Sequence, residues 1–151
     1  MKNSQAFSHL FLARLAGWLA AAFMLVAPVP SWALTAAEVQ GVRAVVEAQL
    51  AALARDDAAT AFSFAAPNVR ASVGTASRFM DMVRKSYPAI YRPASTAFLQ
   101  PEEHHGQVIQ RLQLMDDDGN AWLALYSLQR QKDKTWRITG CQVIPNKGRM
   151  A

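Results

Sequence analysis

A run of four potential metal ligands, Glu102 to His105, is the most concentrated group of chemically active side chains in this sequence. Histidine and carboxylate groups bind zinc and similar ions when three or four of them converge on one point. Successive residues of an extended chain point to opposite sides, so one glutamate and one histidine at most can face a common ion. Pro101 and Gly106 bracket the run, and we predict a polar hairpin loop over residues 101–106 with no metal ion.

A second group of oxygen ligands, Asp116, Asp118 and Asn120, has the alternate spacing with which calcium-binding loops begin. Such a loop also needs a later glutamate that binds the ion through both oxygens, and residues 122–131 contain no acidic residue. The sequence Asp118-Gly119-Asn120 supplies residues that tolerate positive φ. We therefore predict a hairpin turn and no bound calcium.

Cys141 is the single cysteine of the chain. One thiol cannot form an intramolecular disulfide, so the fold has to be stable through packing alone. A cysteine in an apolar strand usually behaves as a small buried hydrophobic residue, and we predict that role here. A reactive thiol is the alternative, although no histidine is close in sequence to activate it.

Residues 1–33 have the pattern of a secretory signal peptide. Lys2 and Arg14 precede an apolar segment at residues 15–29, and Ser31 and Ala33 are the small residues that a signal peptidase recognises. The apolar run is shorter than the ~18 to 20 residues of a spanning helix, which argues against a retained anchor, the alternative. We predict cleavage after Ala33, a single domain at residues 34–151, and a periplasmic or secreted location without a stable membrane anchor.

The charge of the predicted mature chain gives little reason to expect nucleic-acid binding. Without Lys2 and Arg14, the 16 basic residues become 14 against 11 acidic ones, a net charge of +3. These bases are scattered, whereas nucleic-acid binders cluster them and interleave aromatic residues.

Three helices are predicted in the first half of the mature chain. Thr35 and Glu38 form a capping box, and a helix to about Arg55 follows, with an apolar stripe of Val39, Val42, Val46, Leu50 and Leu53. Asp56 or Asp57 caps a short second helix that Pro67 ends. Residues 68–74 are predicted as a connector, and a third helix runs from Thr75 to about Tyr87, before Pro88. Residues 88–93 are predicted as a rigid crossing segment.

Four strands are predicted in the second half. A first strand covers residues 94–100, and the later strands cover residues 107–115, 121–130 and 135–144, with turn residues in each gap. Helices followed by an antiparallel sheet indicate a small α+β domain, with three helices packed on a four-stranded sheet.

The strand at residues 121–130 is apolar on both faces, which is typical of a strand buried on two sides. One face contains Ala121, Leu123 and Leu125, and the other contains Trp122, Ala124, Tyr126 and Leu128. Helices can cover one face only. We therefore expect the second face to be covered by a curled sheet, a second copy in a homodimer, or a ligand.

Four stretches of this sequence together resemble a known family; they are residues 78–83 (RFMDMV), 87–93 (YPAIYRP), 122–126 (WLALY) and 136–141 (WRITGC). They resemble the uncharacterised bacterial family called domain of unknown function 4864, over about residues 42–145. The order of helices and sheet is similar to the nuclear transport factor 2-like, or cystatin-like, cone-shaped α+β superfamily. That resemblance implies a curved sheet around a cone. The superfamily includes isomerases, dehydratases, small-molecule binders and interaction domains, so it implies no single activity.

Within such a cone, we predict a non-catalytic binding or interaction module that takes an apolar small molecule or self-associates through the sheet. The predicted ligand-binding residues are the large amphipathic side chains Tyr87, Tyr91, Arg92, Trp122 and Tyr126. The alternative is a small cofactor-independent isomerase- or dehydratase-like enzyme that uses Asp81 with Tyr91 or Tyr126, since such sites need a carboxylate base and an oxyanion donor. The three later strands contain no Asp or Glu, and this scarcity favours binding.

Overall fold

The computed structural model describes residues 33–147, and the predicted signal peptide, apart from Ala33, lies outside them. The helices are α1 (Ala36–Ala54), α2 (Ala58–Ser63), α3 (Pro67–Val73), α4 (Ala76–Ser86) and α5 (Pro88–Tyr91). The strands are β1 (Ser95–Phe98), β2 (Glu102–His104), β3 (Gln107–Met115), β4 (Ala121–Arg130) and β5 (Trp136–Pro145). The α+β class with an antiparallel sheet is confirmed, but the predicted counts of three helices and four strands are wrong. No helix among the described residues is both long and apolar enough to cross a membrane.

The first helix begins and ends where the sequence predicts. The Thr35 side chain accepts a hydrogen bond from the backbone N–H of Glu38 at 3.2 Å, and the Glu38 carboxylate accepts one from the backbone N–H of Thr35 at 2.9 Å. The buried side chains of α1 are Val42, Val46, Gln49, Ala52 and Leu53. Leu50 of the predicted stripe is only partly buried. The helical repeat thus brings Gln49, a polar residue, into the core.

The segment predicted as a connector forms the helix α3, so that prediction is wrong. Pro67 occupies the first turn of α3, where its missing N–H costs nothing because such N–H groups have no partner within a helix. Gly74 follows α3 with φ of +92°, a conformation that glycine adopts without strain. The proline that was interpreted as the end of α2 therefore begins the next helix, and Pro88 begins α5 in the same way.

The sheet has the order β1-β3-β4-β5, and β2 pairs with β3 on the same edge as β1. All four pairings are antiparallel. The predicted loop at residues 101–106 is wrong for Glu102–His104, which form β2. The turn contains only His105 and Gly106, whose φ values of +51° and +79° suit a two-residue hairpin.

A β-bulge interrupts the pairing of β4 with β5 between Ser127 and Leu128. Leu128 is paired with Ile138, whereas Ser127 is paired with Gly140, so β5 contains one extra residue there. Ile138 also bonds to the helical layer: its N–H donates to the Phe64 carbonyl at 2.9 Å, and its carbonyl accepts from the Ala66 N–H at 2.8 Å. The bulge thus fixes β5 against the link between α2 and α3.

The helices cover the face of β4 that contains Ala124, Tyr126 and Leu128, all of which have no exposed surface. The opposite face contains Leu123 and Leu125, which are partly exposed. Contacts from α1 reach β3 and β5, contacts from α3 reach β5, and contacts from α5 reach β3. The core therefore lies between one sheet face and the helices.

Candidate functional site

An apolar cavity of about 250 Å³ lies between the helices and β5. Its walls come from α1, the α2–α3 link, α3, α4, α5 and β5; the lining residues are Gln49, Ala65, Val69, Val73, Phe79, Met82, Val83, Tyr87, Ile90, Ile138, Gly140 and Cys141. Met82 is 36% exposed, one of the two large hydrophobic side chains in the described residues with this much exposed surface. The cavity therefore has a buried floor and an apolar side chain that reaches solvent.

The cavity contains no formal charge, because none of its lining residues is Asp, Glu, Lys, Arg or His. The side chains of Phe79 and Val83 are nearly fully buried on α4, and the Phe79 ring lies 5.5 Å from that of Phe62. Gly140 presents no side chain and lies two residues after Ile138 in the wall. An apolar site of this kind, partly open to solvent, favours uncharged ligands, since moving a charge out of water without a partner is costly.

Gln49 is the buried polar residue of the cavity wall, with 3% of its surface exposed. Its Nε2 donates a hydrogen bond to the backbone carbonyl of Ala61 at 3.1 Å. Ala61 lies in the last turn of α2, where carbonyl groups have no partner within the helix. Gln49 therefore joins α1 to the end of α2.

Cys141 and Tyr126 are paired across β4 and β5, and their side chains are neighbours on the inner face. Burial raises the pKa of the Cys141 thiol to about 12, an effect that the Tyr126 hydroxyl partly opposes. Burial, and then the Cys141 group, raise the pKa of Tyr126 well above its ordinary value. Among the described residues the Tyr126 hydroxyl has no hydrogen-bond partner of acceptable geometry, the Cys141 sulfur included. Both groups are thus protonated at neutral pH, and the thiolate that nucleophilic chemistry requires is scarce.

One of the five predicted ligand-binding residues, Tyr87, lines this cavity. Tyr126 is fully buried behind Cys141 and is not part of the lining. Trp122 packs against the core, and its indole N–H donates to the Asp116 carboxylate at 2.9 Å. Tyr126 is therefore a core residue, and Trp122 is a partly buried residue that packs against the core from the same face of β4.

The remaining two predicted residues, Tyr91 and Arg92, meet at a surface cluster around Asp56. The Tyr91 hydroxyl donates to Asp56 Oδ1, Arg84 Nη2 donates to the same oxygen at 2.7 Å, and Arg92 Nη2 donates to Oδ2 at 2.6 Å. Both guanidinium groups also lie over the Tyr91 ring, at 5.5 Å for Arg84 and 4.8 Å for Arg92. The Tyr91 hydrogen bond, and then the arginines, lower the pKa of Asp56. This cluster ties the end of α1 to α4 and α5.

Asp81, the carboxylate of the enzymatic alternative, lies on α4 with 59% of its side chain exposed. Its Oδ1 lies 3.7 Å from Arg84 Nη1, and it is not among the residues that line the cavity. The geometry thus gives Asp81 a surface ion pair, and it brings no carboxylate to the apolar site.

The two sequence motifs that resemble metal sites form local turn contacts instead. Glu103 accepts a hydrogen bond from the Gly106 N–H at 2.6 Å, and Glu102 pairs with Arg111. Asp116 accepts hydrogen bonds from the N–H groups of Asp118 and Asn120 across the β3–β4 turn. Within residues 33–147, no group of three or more His, Cys, Asp or Glu side chains is placed to hold a metal ion.

Two functional candidates, Gln49 and Asp56, were not predicted from the sequence. Gln49 lies off the apolar stripe by residue type but on it by position, four residues before Leu53 and three after Val46. Asp56 was considered only as a helix cap. Helical position, rather than residue type, is the sequence signal that would have identified Gln49.

The fold and the cavity define an α+β domain with an uncharged internal site between one sheet face and its helices. The chain belongs to the family described as domain of unknown function (DUF4864), whose family model matches residues 35–151. No curated protein and no solved structure gave a significant match. The resemblance that the sequence stretches indicated is therefore confirmed at the level of this family.

Proposed function

We propose that the protein is a non-catalytic binding module that takes a small, uncharged, apolar molecule into the cavity between its helices and β5. The observation that carries this proposal is the cavity of about 250 Å³ with its uncharged lining. Its volume exceeds the ~150 Å³ of an engineered apolar cavity that binds benzene, and it is slightly below the ~300 Å³ at which sites for drug-sized ligands begin. A single aromatic ring system or a short alkyl chain is the size of ligand that suits it.

Isothermal titration with benzothiophene, a compact apolar probe, tests this proposal. A ligand of this size is expected to bind with a Kd on the order of 0.1 to 1 mM. Val69 lines the cavity from α3 and is partly exposed, so the larger side chain of Val69→Phe should fill the cavity with little strain. The variant is expected to bind at least about tenfold more weakly, whereas Val39→Phe, a matched change at a partly buried position outside the cavity, should bind normally. Absence of binding, or equal binding by Val69→Phe, would contradict the proposal.

The enzymatic alternative with Asp81 and Tyr91 or Tyr126 stays a prediction, and the geometry gives it less support than binding. Asp81 and Tyr91 lie on the surface, joined through Arg84, and Tyr126 is buried elsewhere. The alternative would be favoured by an enzymatic activity that Asp81→Asn abolishes. Asp117→Asn, the control change at an exposed position, should keep that activity.

Self-association through the sheet also stays a prediction, and its surface would be the outer face of β3, β4 and β5. Leu123 and Leu125 are partly exposed there, and Ile144 is 39% exposed. Sedimentation of wild type and Leu125→Arg tests it: a dimer that dissociates in the variant would support self-association, and a monomeric wild type would exclude it.

We further propose that the protein works in the periplasm or outside the cell, after removal of residues 1–33, and that its helix-then-sheet order is a form of the nuclear transport factor 2-like cone. The leader pattern of Lys2, Arg14 and Ala33 supports export. N-terminal sequencing of the exported protein should find Leu34 first, and a mature chain that begins at Met1 would refute it. An experimental structure superimposed on members of the superfamily tests the cone.

A further inference from the structure

The orientation of the Gln49 amide is determined by its partner. Ala61 offers a carbonyl, which accepts but cannot donate, so the nitrogen of the amide has to face it. The bond has a clear structural purpose, because it satisfies a carbonyl at the end of the short helix α2. The amide oxygen of Gln49 is consequently directed away from Ala61.

That amide oxygen is an acceptor without a partner in the described part of the chain. The Nε2–Ala61 bond is the one hydrogen bond of the Gln49 side chain there. The residue has 3% exposed surface and lines the cavity. In that part of the chain, the Tyr126 hydroxyl is the fully buried side-chain atom that lacks a partner, so Gln49 Oε1 keeps a little accessible surface. A ligand N–H or O–H group that bonds to this oxygen would contribute about 0.5 to 1.5 kcal/mol.

Two other side chains of the wall have polar atoms, Tyr87 and Cys141. Cys141 carries a protonated thiol, which is a weak donor and a weak acceptor, and the Tyr87 hydroxyl can both donate and accept. Of these three side chains, Gln49 is the one whose free atom, the amide oxygen, can only accept a hydrogen bond.

We propose that the ligand consists of an uncharged apolar body with one hydrogen-bond donor, an aromatic N–H or a hydroxyl, that binds to Gln49 Oε1. This proposal rests on the proposed function, since it specifies the ligand class of the same cavity. The donor fixes the orientation of the ligand, and the apolar walls of α3, α4 and β5 enclose the remainder.

Titration with indole and benzothiophene tests the proposal, because the two probes have nearly the same shape and differ in the N–H group. In the wild-type protein, the indole-to-benzothiophene affinity ratio should be about three- to tenfold higher than water-to-cyclohexane transfer of the two probes predicts. In Gln49→Leu, the indole-to-benzothiophene affinity ratio should fall about three- to tenfold. Gln110→Leu is the matched control, since Gln110 is also a buried glutamine but is not part of the cavity lining, and its ratio should stay unchanged.

A measurement on the wild-type protein keeps the test decisive if Gln49→Leu does not fold. The NMR resonance of the Gln49 side-chain carbonyl carbon should shift downfield more with indole than with benzothiophene, because both rings perturb it and only indole donates a hydrogen bond. Benzoate, an anion of similar size, should not bind.

The outcomes separate the two proposals. If neither neutral probe binds, the proposed function fails and this inference fails with it. If both probes bind with the affinity ratio that cyclohexane transfer predicts, and Gln49→Leu leaves that ratio unchanged, the cavity binds ligands. The proposed hydrogen bond from the ligand to Gln49 is then overturned. Benzoate binding as tight as that of the neutral probes would overturn the requirement for an uncharged ligand.

Discussion

The indole ring of Trp136 packs against Gly41, the sixth residue of α1. A Cβ atom at Gly41 would come within 3.1 Å of Trp136 Cδ1 and 3.2 Å of Trp136 Nε1, which is closer than ordinary van der Waals contact. Gly41 is therefore a packing requirement that joins the first helix to the beginning of β5.

Replacing this glycine should reverse the usual effect of a helical Gly→Ala change. In an unhindered helix, alanine gains about 1 kcal/mol over glycine. Here we expect Gly41→Ala to lower the free energy of unfolding by about 1 to 2 kcal/mol, because the new methyl group displaces a rigid ring. Urea unfolding of Gly41→Ala, Trp136→Leu and the double variant measures the coupling, which should be at least about 1 kcal/mol. Additive effects of the two changes would contradict the contact.

The hydrogen bond of Gln49 should contribute to stability independently of any ligand. We expect Gln49→Met, a change of similar volume, to lower the free energy of unfolding by about 1 to 3 kcal/mol, because the Ala61 carbonyl loses its partner. Gln40→Met on the exposed side of α1 is the control and should stay within about 0.5 kcal/mol of wild type. Equal stability of the two variants in urea would show that the bond is unimportant.

The Asp56 cluster should contribute to the pH dependence of stability on the acid side. The folded state lowers the pKa of Asp56 below its ordinary value of 3.8, chiefly through the Tyr91 hydrogen bond. Unfolding therefore raises that pKa, so the stabilisation is present above pH 3.8 and is lost as the pH falls below it, through the lowered folded value.

Asp56→Asn is the variant that tests this pH dependence. Asp56 has φ of +58°, and asparagine tolerates this left-handed conformation. Urea midpoints measured from roughly pH 5 to pH 2 should decline less steeply in Asp56→Asn than in wild type. Asp117→Asn removes one exposed charge that has no ion pair among the described residues. Its urea midpoint should therefore decline with falling pH as steeply as that of wild type. If the urea midpoints of wild type and Asp56→Asn decline equally with pH, the Asp56 cluster does not contribute to the pH dependence of stability.

The thiol of Cys141 should be unreactive in the native protein. Its pKa rises from 9.0 to about 12 on folding, which lowers the thiolate fraction at pH 8 by roughly two to three orders of magnitude. Alkylation by iodoacetamide should therefore be slow in buffer and should become fast in urea. A native labelling rate close to that of the unfolded chain would contradict this environment.

Local patterns predicted those elements whose signals are local. The capping box at Thr35 placed the start of α1, and the alternation in β3 and β4 gave strand bounds that match the structure. Pro67 was misinterpreted because proline marks both the end of one helix and the first turn of the next. Only the conformation of the residues after Pro67 in the folded protein distinguishes these two roles of proline.

The site depended on contacts between distant parts of the chain, which explains why less of it was predicted. Tyr91 and Arg92 were recognised as amphipathic residues, but their partner Asp56 is more than 30 positions away, at the end of α1. Gln49 was overlooked because the apolar stripe was chosen by residue type. The helical repeat indicates its burial, but its partner, the Ala61 carbonyl, follows from no local pattern.

The position of β5 at the end of the described chain has a consequence for the order in which the cavity is completed. Ile138, Gly140 and Cys141 supply one wall of the cavity, and they lie in the last strand of the described chain, whereas Gln49 lies in the first helix. A polypeptide that has formed its helices but has not yet paired β5 therefore has no place for a ligand. Binding of the proposed ligand would therefore be coupled to completed folding, and the ligand would protect finished molecules from proteolysis and leave incomplete ones exposed to it.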